Sequence, residues 1–339
     1  MLNRSFDSVF IVWGTARQGP RSRVLARALG IEPPVFLAPN NARGVISAPY
    51  RYARQTIATF QLLARKRPRL FFVQSPPSLA VMATYLYCRA TGTRYIVDAH
   101  NGAFELAIWR RPHALYRHLA KCALTTIVTN EYDAEEIRAL GGHAFIFPDP
   151  PAEYPVRHRF PVSKDFNIAF VNTFSPDEPF AHVVHAAAAL PQVHFYMTGD
   201  TAFAPAKLLQ HAPANVSCTG FMPDSDYYAL LASVDAVMCL STGWHTWQGG
   251  AGEGLWLGKP LIVSDMPILR AYFDAGTVFV ANAPDGIRDG VIEIRAHHAR
   301  YQREICALQA RRRETGQRQL RELVALIESA SPPGPLSRI

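Results

Sequence analysis

Long hydrophobic runs are missing from this chain. The longest, such as Leu79 to Cys88, stop far short of the ~20 residues that a bilayer-spanning helix needs. The first residues, Met1-Leu-Asn-Arg-Ser-Phe-Asp, lead straight into a strand-like run, with no apolar stretch followed by a small-residue cleavage site. A cytosolic protein is expected. Cysteine is sparse: Cys88, Cys122, Cys218, Cys239 and Cys306 are scattered and form no Cys-x-x-Cys pair, which speaks for reduced structural thiols and against a disulfide frame or zinc site. No Gly-x-Gly-x-x-Gly follows the first strand-like run, so a nicotinamide dehydrogenase is disfavoured. RNA-recognition and helix-turn-helix signatures are lacking too, and nucleic acid is not an expected partner. Acidic residues are short in the front half alone. Residues 1–150 hold 19 Lys and Arg against 9 Asp and Glu, a balance of +10, whereas residues 151–339 hold 16 against 18, a balance of −2. A basic front on a near-neutral back suggests that one domain faces an anionic membrane surface or a phosphorylated substrate.

What the chain has is a repeated strand–loop–helix rhythm. Its 339 residues, 49% of them hydrophobic, suit two domains of about 150 to 170 residues. In the front half the strand-like runs are Val9–Trp13, Val35–Leu37, Leu70–Gln74, Tyr95–Val97, Thr126–Val128 and Ala144–Phe147, separated by helical segments at 21–29, 50–67, 79–91, 112–121 and 131–140. Pro148-Asp-Pro-Pro-Ala-Glu-Tyr-Pro155 reads as a linker. The pattern restarts with strands at 167–171, 194–197, 216–219, 236–239, 261–264 and 277–280, helices at 180–189 and 226–232, and closing helices at 285–310 and 312–330. The expected division is a front Rossmann-like domain over 1–150, a linker over 151–165, a back Rossmann-like domain over 166–310, a helix over 311–330 that packs back on the front domain, and a tail over 331–339. The fold class is α/β: two doubly wound, Rossmann-like domains facing a central cleft. In such sheets ligands sit beyond the carboxyl ends of the strands, which directs attention to the residues just after them.

One stretch stands out there, Gln248-Gly-Gly-Ala-Gly-Glu-Gly-Leu-Trp-Leu-Gly-Lys-Pro. Glycines 249, 250 and 252 let backbone N–H groups approach a ligand, a helix starting there turns its positive end towards an anion, and Glu253 can accept both hydroxyls of a ribose. A glycine-rich turn with a helix-capping Glu is the plainer reading. The expected arrangement is a glycine loop carrying Glu253, then a short apolar helix.

These segments together resemble the GT-B glycosyltransferases. The front half is most similar to the β-mannosyltransferases that add the first mannose to dolichyl-diphosphate-linked chitobiose. The likeness lies in Gly14-Thr-Ala-Arg-Gln-Gly-Pro-Arg-Ser-Arg, Phe72-Val-Gln-Ser-Pro-Pro-Ser-Leu and Ile96-Val-Asp-Ala-His-Asn-Gly, in order and spacing over roughly residues 9–105. The basic helix 50–67 lies where that family has a membrane-facing helix. The back half resembles the wider GT-B pattern, including the retaining family 4. Thr219-Gly-Phe-Met-Pro looks like its nucleobase loop, and Glu253 corresponds to its ribose-binding carboxylate in Glu-x-x-x-x-Gly-Lys-Pro. Two departures matter. Thr246 stands where retaining members have a second Glu, and Thr173-Phe-Ser-Pro-Asp-Glu-Pro replaces a loop that normally brings Arg and Lys. The resemblance thus implies a hexosyltransferase, inverting more readily than retaining, using GDP-mannose or a UDP-sugar and no further cofactor. Its acceptor would be a polyprenyl-diphosphate-linked or polysaccharide glycan at the cytoplasmic membrane face.

Within that reading, Glu253, Gly249, Gly250, Gly252, Thr173, Gly199, Phe221, Met222, Ser241 and Thr242 are donor-binding candidates. Gly14, Arg17, Arg21, Arg23, Gln74 and Asn101 are acceptor-binding candidates, the arginines through charge-assisted contacts to a diphosphate. An inverting transfer needs a base for the acceptor hydroxyl. His100 is the candidate, with Asp98 either as the base itself or as the orienter of the imidazole; a loop-stabilising histidine is the alternative. No metal site is expected. Asp224-Ser-Asp226 fits helix capping better than metal binding, and His182 with His185 has no third ligand. Trp244 and Trp247 either stack on a sugar or base or pack internally, and Arg311-Arg-Arg313 reads as a solvated helix face. A nucleotide-sugar 2-epimerase and a non-catalytic scaffold subunit are the competing functions.

Overall fold

The computed structural model describes residues 7–14, 20–38, 47–148, 150–163, 166–206 and 210–330. It divides into two compact units, Met1–Pro150 with Thr315–Ile339, and Pro151–Glu314. The expected tail over 331–339 lies outside the described residues.

The front unit is built on β1 (Ser8–Val12), β2 (Val35–Phe36), β3 (Leu70–Ser75), β4 (Arg94–Ala99), β5 (Thr125–Val128) and β6 (Ala144–Ile146), joined by α1 (Pro20–Leu29), α2 (Ala48–Lys66), α3 (Ser78–Thr91), α4 (Gly102–Glu105), α5 (His113–Cys122) and α6 (Glu131–Ala139). All six strands are parallel, in the order β2-β1-β3-β4-β5-β6. Parallel strands need crossover helices, which cover both sheet faces, so the central strands read as unbroken apolar runs such as Val-Phe-Ile-Val over 9–12. The period of two then sorts side chains between two cores. Val9, Ile11, Phe71 and Val73 face α2 and α3, while Phe10, Val12, Phe72 and Ile96 pack with Leu25 and Leu29 of α1 and with Leu323, Val324 and Ile327 near the chain's end.

The back unit contains β7 (Phe166–Phe170), α7 (Phe180–Ala188), β8 (Val193–Thr198), β9 (Val216–Gly220), α8 (Asp224–Ser233), β10 (Ala236–Cys239), α9 (Gly249–Trp256), β11 (Leu261–Ser264), α10 (Pro267–Tyr272), β12 (Thr277–Val280) and α11 (Pro284–Ala296). Its parallel sheet runs β12-β11-β10-β7-β8-β9. The long helix α12 (His298–Ala330) follows.

Several boundaries differ from expectation. The closing helices break at His297 instead of residue 311, and a single helix runs on through the three arginines, burying Tyr301, Ile305 and Leu308 before them and Leu323 and Ile327 after them. Those arginines are not a simple solvated face. Arg312 donates to the carbonyls of Ala271 and Tyr272, satisfying groups at the open end of α10, and Arg311 pairs with Asp274. The basic helix expected over 50–67 is α2, whose buried face is Gln55, Thr59, Leu62 and Leu63, with Ile57 57% exposed. Two polar residues are tolerated inside because each is bonded, Thr59 by the Trp13 indole N–H and Gln55 to the Leu37 carbonyl.

Candidate functional site

Strand order fixes where each unit can hold a ligand. In the back unit, β7 and β10 are neighbours whose onward connections run towards opposite edges of the sheet, the topological position beyond whose carboxyl ends such sheets hold ligands. The loops that follow them are joined by hydrogen bonds. Ser241 Oγ donates to Asp177 Oδ2 at 2.6 Å, while Thr242 N and Oγ1 donate to the Asp177 carbonyl at 2.7 and 3.0 Å. Thr173 donates through N and Oγ1 to Glu178, and Ser175 N joins it at 2.8 Å. Three expected donor contacts, Thr173, Ser241 and Thr242, are therefore brought together, but they are engaged within the chain itself, Thr173 and Ser241 with the carboxylates of Glu178 and Asp177 and Thr242 with the Asp177 carbonyl. Sequence reading marked the missing Arg and Lys of this loop without seeing what Asp177 and Glu178 do instead. Gly199 closes the same corner. Its φ is +104°, and a side chain there would meet the Asn172 carbonyl at 2.6 Å.

The glycine-rich stretch is a helix from its first glycine, so Glu253 sits in the second turn of α9 and not on a loop. The correction has a packing cause. A Cβ at Gly250 would come within 2.6 Å of Val171, and one at Gly254 within 2.7 Å of Leu261 and 3.0 Å of Val237. These glycines let α9 lie directly on the sheet, as small residues do wherever backbones approach closely. Gly249, by contrast, has open space at its Cβ position, and Gly252 is buried within the helix. Glu253 is half-buried, and one carboxylate oxygen accepts from the Tyr227 hydroxyl on α8. Tyr227 is half-buried, and desolvation of its hydroxyl together with the Glu253 charge raises its pKa well above the ordinary tyrosine value. The phenol thus stays a donor. Tyr227 was invisible to sequence reasoning, since it lies 26 positions from its partner with no local signal.

Phe221 is 52% exposed and Met222 half-buried just beyond β9, at the mouth expected for a nucleobase. Trp247 packs inside on Tyr272 and Phe273, whereas Trp244 is largely exposed. Lys259 has a structural task, donating to the Val234 carbonyl at the end of α8.

In the front unit, the adjacent strands β1 and β3 mark the corresponding switch point. Asp98 lies inside β4, wholly buried, one residue short of the strand end. Its Oδ1 faces Arg21 Nε at 3.2 Å, and its Oδ2 accepts from Ser22 Oγ at 2.9 Å and approaches His100 Nε2 at 3.0 Å. Burial opposes the charge of Asp98, but the nearby His100 and Arg21 charges and the bonds from His100 and Ser22 outweigh it. The carboxyl is held well below the usual carboxylate range. An ionised carboxylate can only accept, which puts a proton on His100 Nε2 and leaves Nδ1 as the nitrogen without a partner among the described residues. Of the two roles expected for Asp98, its full burial and strong acidity suit the orienter better than the base, whereas the His100 side chain is 21% exposed.

Arg21 is likewise not available for a diphosphate. Besides Asp98 it holds the Phe147 and Pro148 carbonyls at the end of the sheet. Gln74 is buried, with its amide oxygen 3.1 Å from the same Ser22 hydroxyl. Arg23, Gly14 and Asn101 are half-buried near these strand ends, Asn101 immediately preceding α4. Arg17 lies outside the described residues.

In the same unit, formed by segments that follow β2, β3 and β4, is an open groove of about 490 Å³ that the sequence did not announce. Tyr52, Leu79, Ile108, Trp109, Pro112 and Leu115 form its apolar wall, Arg51 and Arg111 contribute positive charge, and among the described residues no acidic side chain lines it. Its size falls within the range of small-molecule pockets. Ile108 on its rim and Leu106 nearby in the chain are 68% and 51% exposed.

Other candidates resolve locally. Asp224 and Asp226 occupy the first turn of α8, where the helix dipole favours them, and Asp226 pairs with His158. His182 bonds the Asn282 carbonyl. Among the described residues no group of three His, Cys, Asp or Glu is arranged to hold a metal. No helix there is long and apolar enough to cross a membrane.

No protein-family model and no curated protein matches the chain. Solved structures do. Sucrose-phosphate synthase from Thermosynechococcus elongatus is similar at TM-score 0.70 and 13% identity, covering 96% of this chain and 100% of its own. Anabaena HepE, solved in complex with UDP and glucose, is similar at TM-score 0.69 and 14% identity, over 94% of this chain and 99% of its own. A putative UDP-N-acetylglucosamine 2-epimerase from Listeria monocytogenes reaches TM-score 0.67 and 13% identity, over 96% of both chains. At such identities the likeness concerns the fold, and it spans both units: the chain has the architecture of two Rossmann-like domains known as GT-B.

Proposed function

We propose that this protein is a glycosyltransferase, moving a hexose from a nucleotide-diphosphate sugar to a hydroxyl of a lipid-linked or polysaccharide glycan. The observation that carries the reading is Glu253. It is a carboxylate in the helix that follows β10, at the switch point of the back sheet, with one oxygen already fixed by Tyr227. A carboxylate so placed accepts both ribose hydroxyls of a donor, and Phe221 and Met222 supply apolar surface for the base. The UDP bound to HepE supports a UDP-sugar; the front-half resemblance supports GDP-mannose.

In the front unit, His100 Nδ1 takes the proton of the acceptor hydroxyl as the sugar carbon is attacked, and Asp98 holds the ring in the required tautomer. Attack from the face opposite the departing diphosphate inverts the anomeric centre. The apolar groove with Arg51 and Arg111 suits an acceptor with an anionic head and an apolar body, such as a polyprenyl diphosphate. The exposed Tyr50 and Ile57 of α2, beside Arg51 and Arg54, suit peripheral contact with an anionic inner membrane face.

The test is a transfer assay with radiolabelled GDP-mannose and UDP-sugars, with and without a polyprenyl-diphosphate-linked acceptor and with and without chelator. Label should enter the lipid phase, chelator should not matter, and Glu253→Ala should weaken donor binding by about ten- to a hundredfold. Unchanged donor affinity in that variant refutes the site. Conversion of UDP-N-acetylglucosamine to its 2-epimer without acceptor would make the protein an epimerase instead.

A further inference from the structure

We propose that the Glu178 carboxylate is an internal stand-in for the donor's phosphate. It fills the anion nest after β7, must swing out before a nucleoside diphosphate can be held there, and returns to drive the product out. The inference rests on the reading that the back unit binds a nucleotide sugar.

The geometry is that of an occupied phosphate site. Glu178 Oε2 accepts from Thr173 N and Ser175 N, both at 2.8 Å, and from Thr173 Oγ1 at 3.2 Å; Oε1 takes the same Thr173 groups at 3.1 and 3.3 Å. Between the two N–H groups Phe174 adopts a left-handed conformation, φ +59°. A left-handed residue between two amides can turn both towards one concavity, as in recurring backbone anion receptors. The concavity lies at the switch point of the sheet, where a ligand is expected for topological reasons alone. The chain has put a carboxylate in the place of a cation. A phosphate entering beside it would meet like charge and find the amides taken.

Neighbouring contacts show that the nest need not collapse when Glu178 leaves. Asp177, not Glu178, ties this loop to the next strand's loop through Ser241 and Thr242. The Asn172 side chain holds Phe174 N at 3.1 Å, and Thr198 Oγ1 holds Asn172 N at 3.2 Å. Glu178 also sits uneasily as an anion: burial raises its pKa, the Thr173 and Ser175 N–H groups oppose that, and Asp177 adds to it. Displacement requires only rotation of one side chain.

The experiment is calorimetric titration of the full-length protein, of Glu178→Gln and of Glu178→Ala with UDP and GDP, and with uridine and guanosine as ligands lacking phosphate. Nucleoside affinity should be the same in all three proteins. For whichever base the wild type accepts, diphosphate affinity should rise in Glu178→Ala by about tenfold or more, the scale of one charge-assisted hydrogen bond, and by less in Glu178→Gln. Diphosphate affinity equal to or below wild type, with nucleoside binding intact, overturns the inference and makes Glu178 a brace of the loop. Loss of nucleoside affinity in both variants overturns it as well, because the loop then needs Glu178 in place. If the wild type binds nucleoside and diphosphate of neither base, the nucleotide reading itself fails.

Discussion

Replacing Asp98 by Asn tests the front cluster most directly. The substitution keeps shape and removes one charge that is wholly buried and 3.2 Å from the guanidinium of Arg21. Two unit charges about 4 Å apart attract by roughly 4 kcal/mol at an effective dielectric near 20. Deleting one member of a buried pair costs about 3–5 kcal/mol, because the other is left uncompensated. Part of this is returned, since Asn avoids the desolvation of a carboxylate and still accepts from Ser22. A loss of about 3 kcal/mol is therefore expected at pH 7, the lower end of the measured range. The folded carboxyl is more acidic than the unfolded one, near pKa 3.9. Its stabilisation is therefore complete above the unfolded value and is lost as the pH falls below about 4 towards the folded value. Hydrogen exchange followed by mass spectrometry on peptides covering β4 reads this locally. Exchange there should quicken by about two orders of magnitude in Asp98→Asn at neutral pH, with the ratio to wild type shrinking below pH 4. In the transfer assay kcat should fall by about 10²- to 10⁴-fold, because the imidazole loses its orienter. A change in exchange under about fivefold, or a gap that persists undiminished at low pH, would refute the charge argument. Full activity alongside lost protection would remove His100 from the chemistry.

Four further outcomes follow from the geometry. Gly254→Ala pushes a methyl within 2.7 Å of Leu261 and 3.0 Å of Val237, and should cost about 1–3 kcal/mol in thermal melts by circular dichroism. Its donor affinity should fall with it, because α9 carries Glu253. Arg111→Ala, on the exposed rim of the groove, should raise KM for a diphosphate-linked acceptor about tenfold while leaving donor Kd unchanged; equal KM would show that the groove does not hold the acceptor. Burial pushes Asp133 up to about 7, against hydrogen bonds from Thr129 and Asn130. A carboxyl with a raised folded pKa favours the native state while protonated and penalises it as the pH climbs from about 4 to 7. Asp133→Asn should therefore gain stability relative to wild type across that window in urea titrations, and a flat difference would contradict the assignment. His100→Ala should abolish transfer while donor binding measured by calorimetry persists, whereas loss of both would reassign the histidine to a structural task.

The sequence alone determined the class of fold. A central strand buried on both faces must be apolar throughout, and a parallel strand must be followed by a helix, so runs such as Val9–Val12 or Leu261–Ser264 announce themselves and their sequels. It also brought Glu253, His100 and Asp98 to attention, since strand ends and glycine-rich stretches have short-range signatures. Tertiary structure decided which polar groups meet. Tyr227 reaches Glu253 across 26 residues, Arg21 reaches Asp98 across 77, and Ser241 reaches Asp177 across 64, separations that leave no trace in local pattern. For the same reason the glycines at 250 and 254 were legible as glycines but not as packing residues: what a missing Cβ makes room for is the side chain of a different strand. Periodicity records which face of an element is apolar. Partners across the sheet, and with them the ionisation and availability of each group, exist only once the chain has closed on itself.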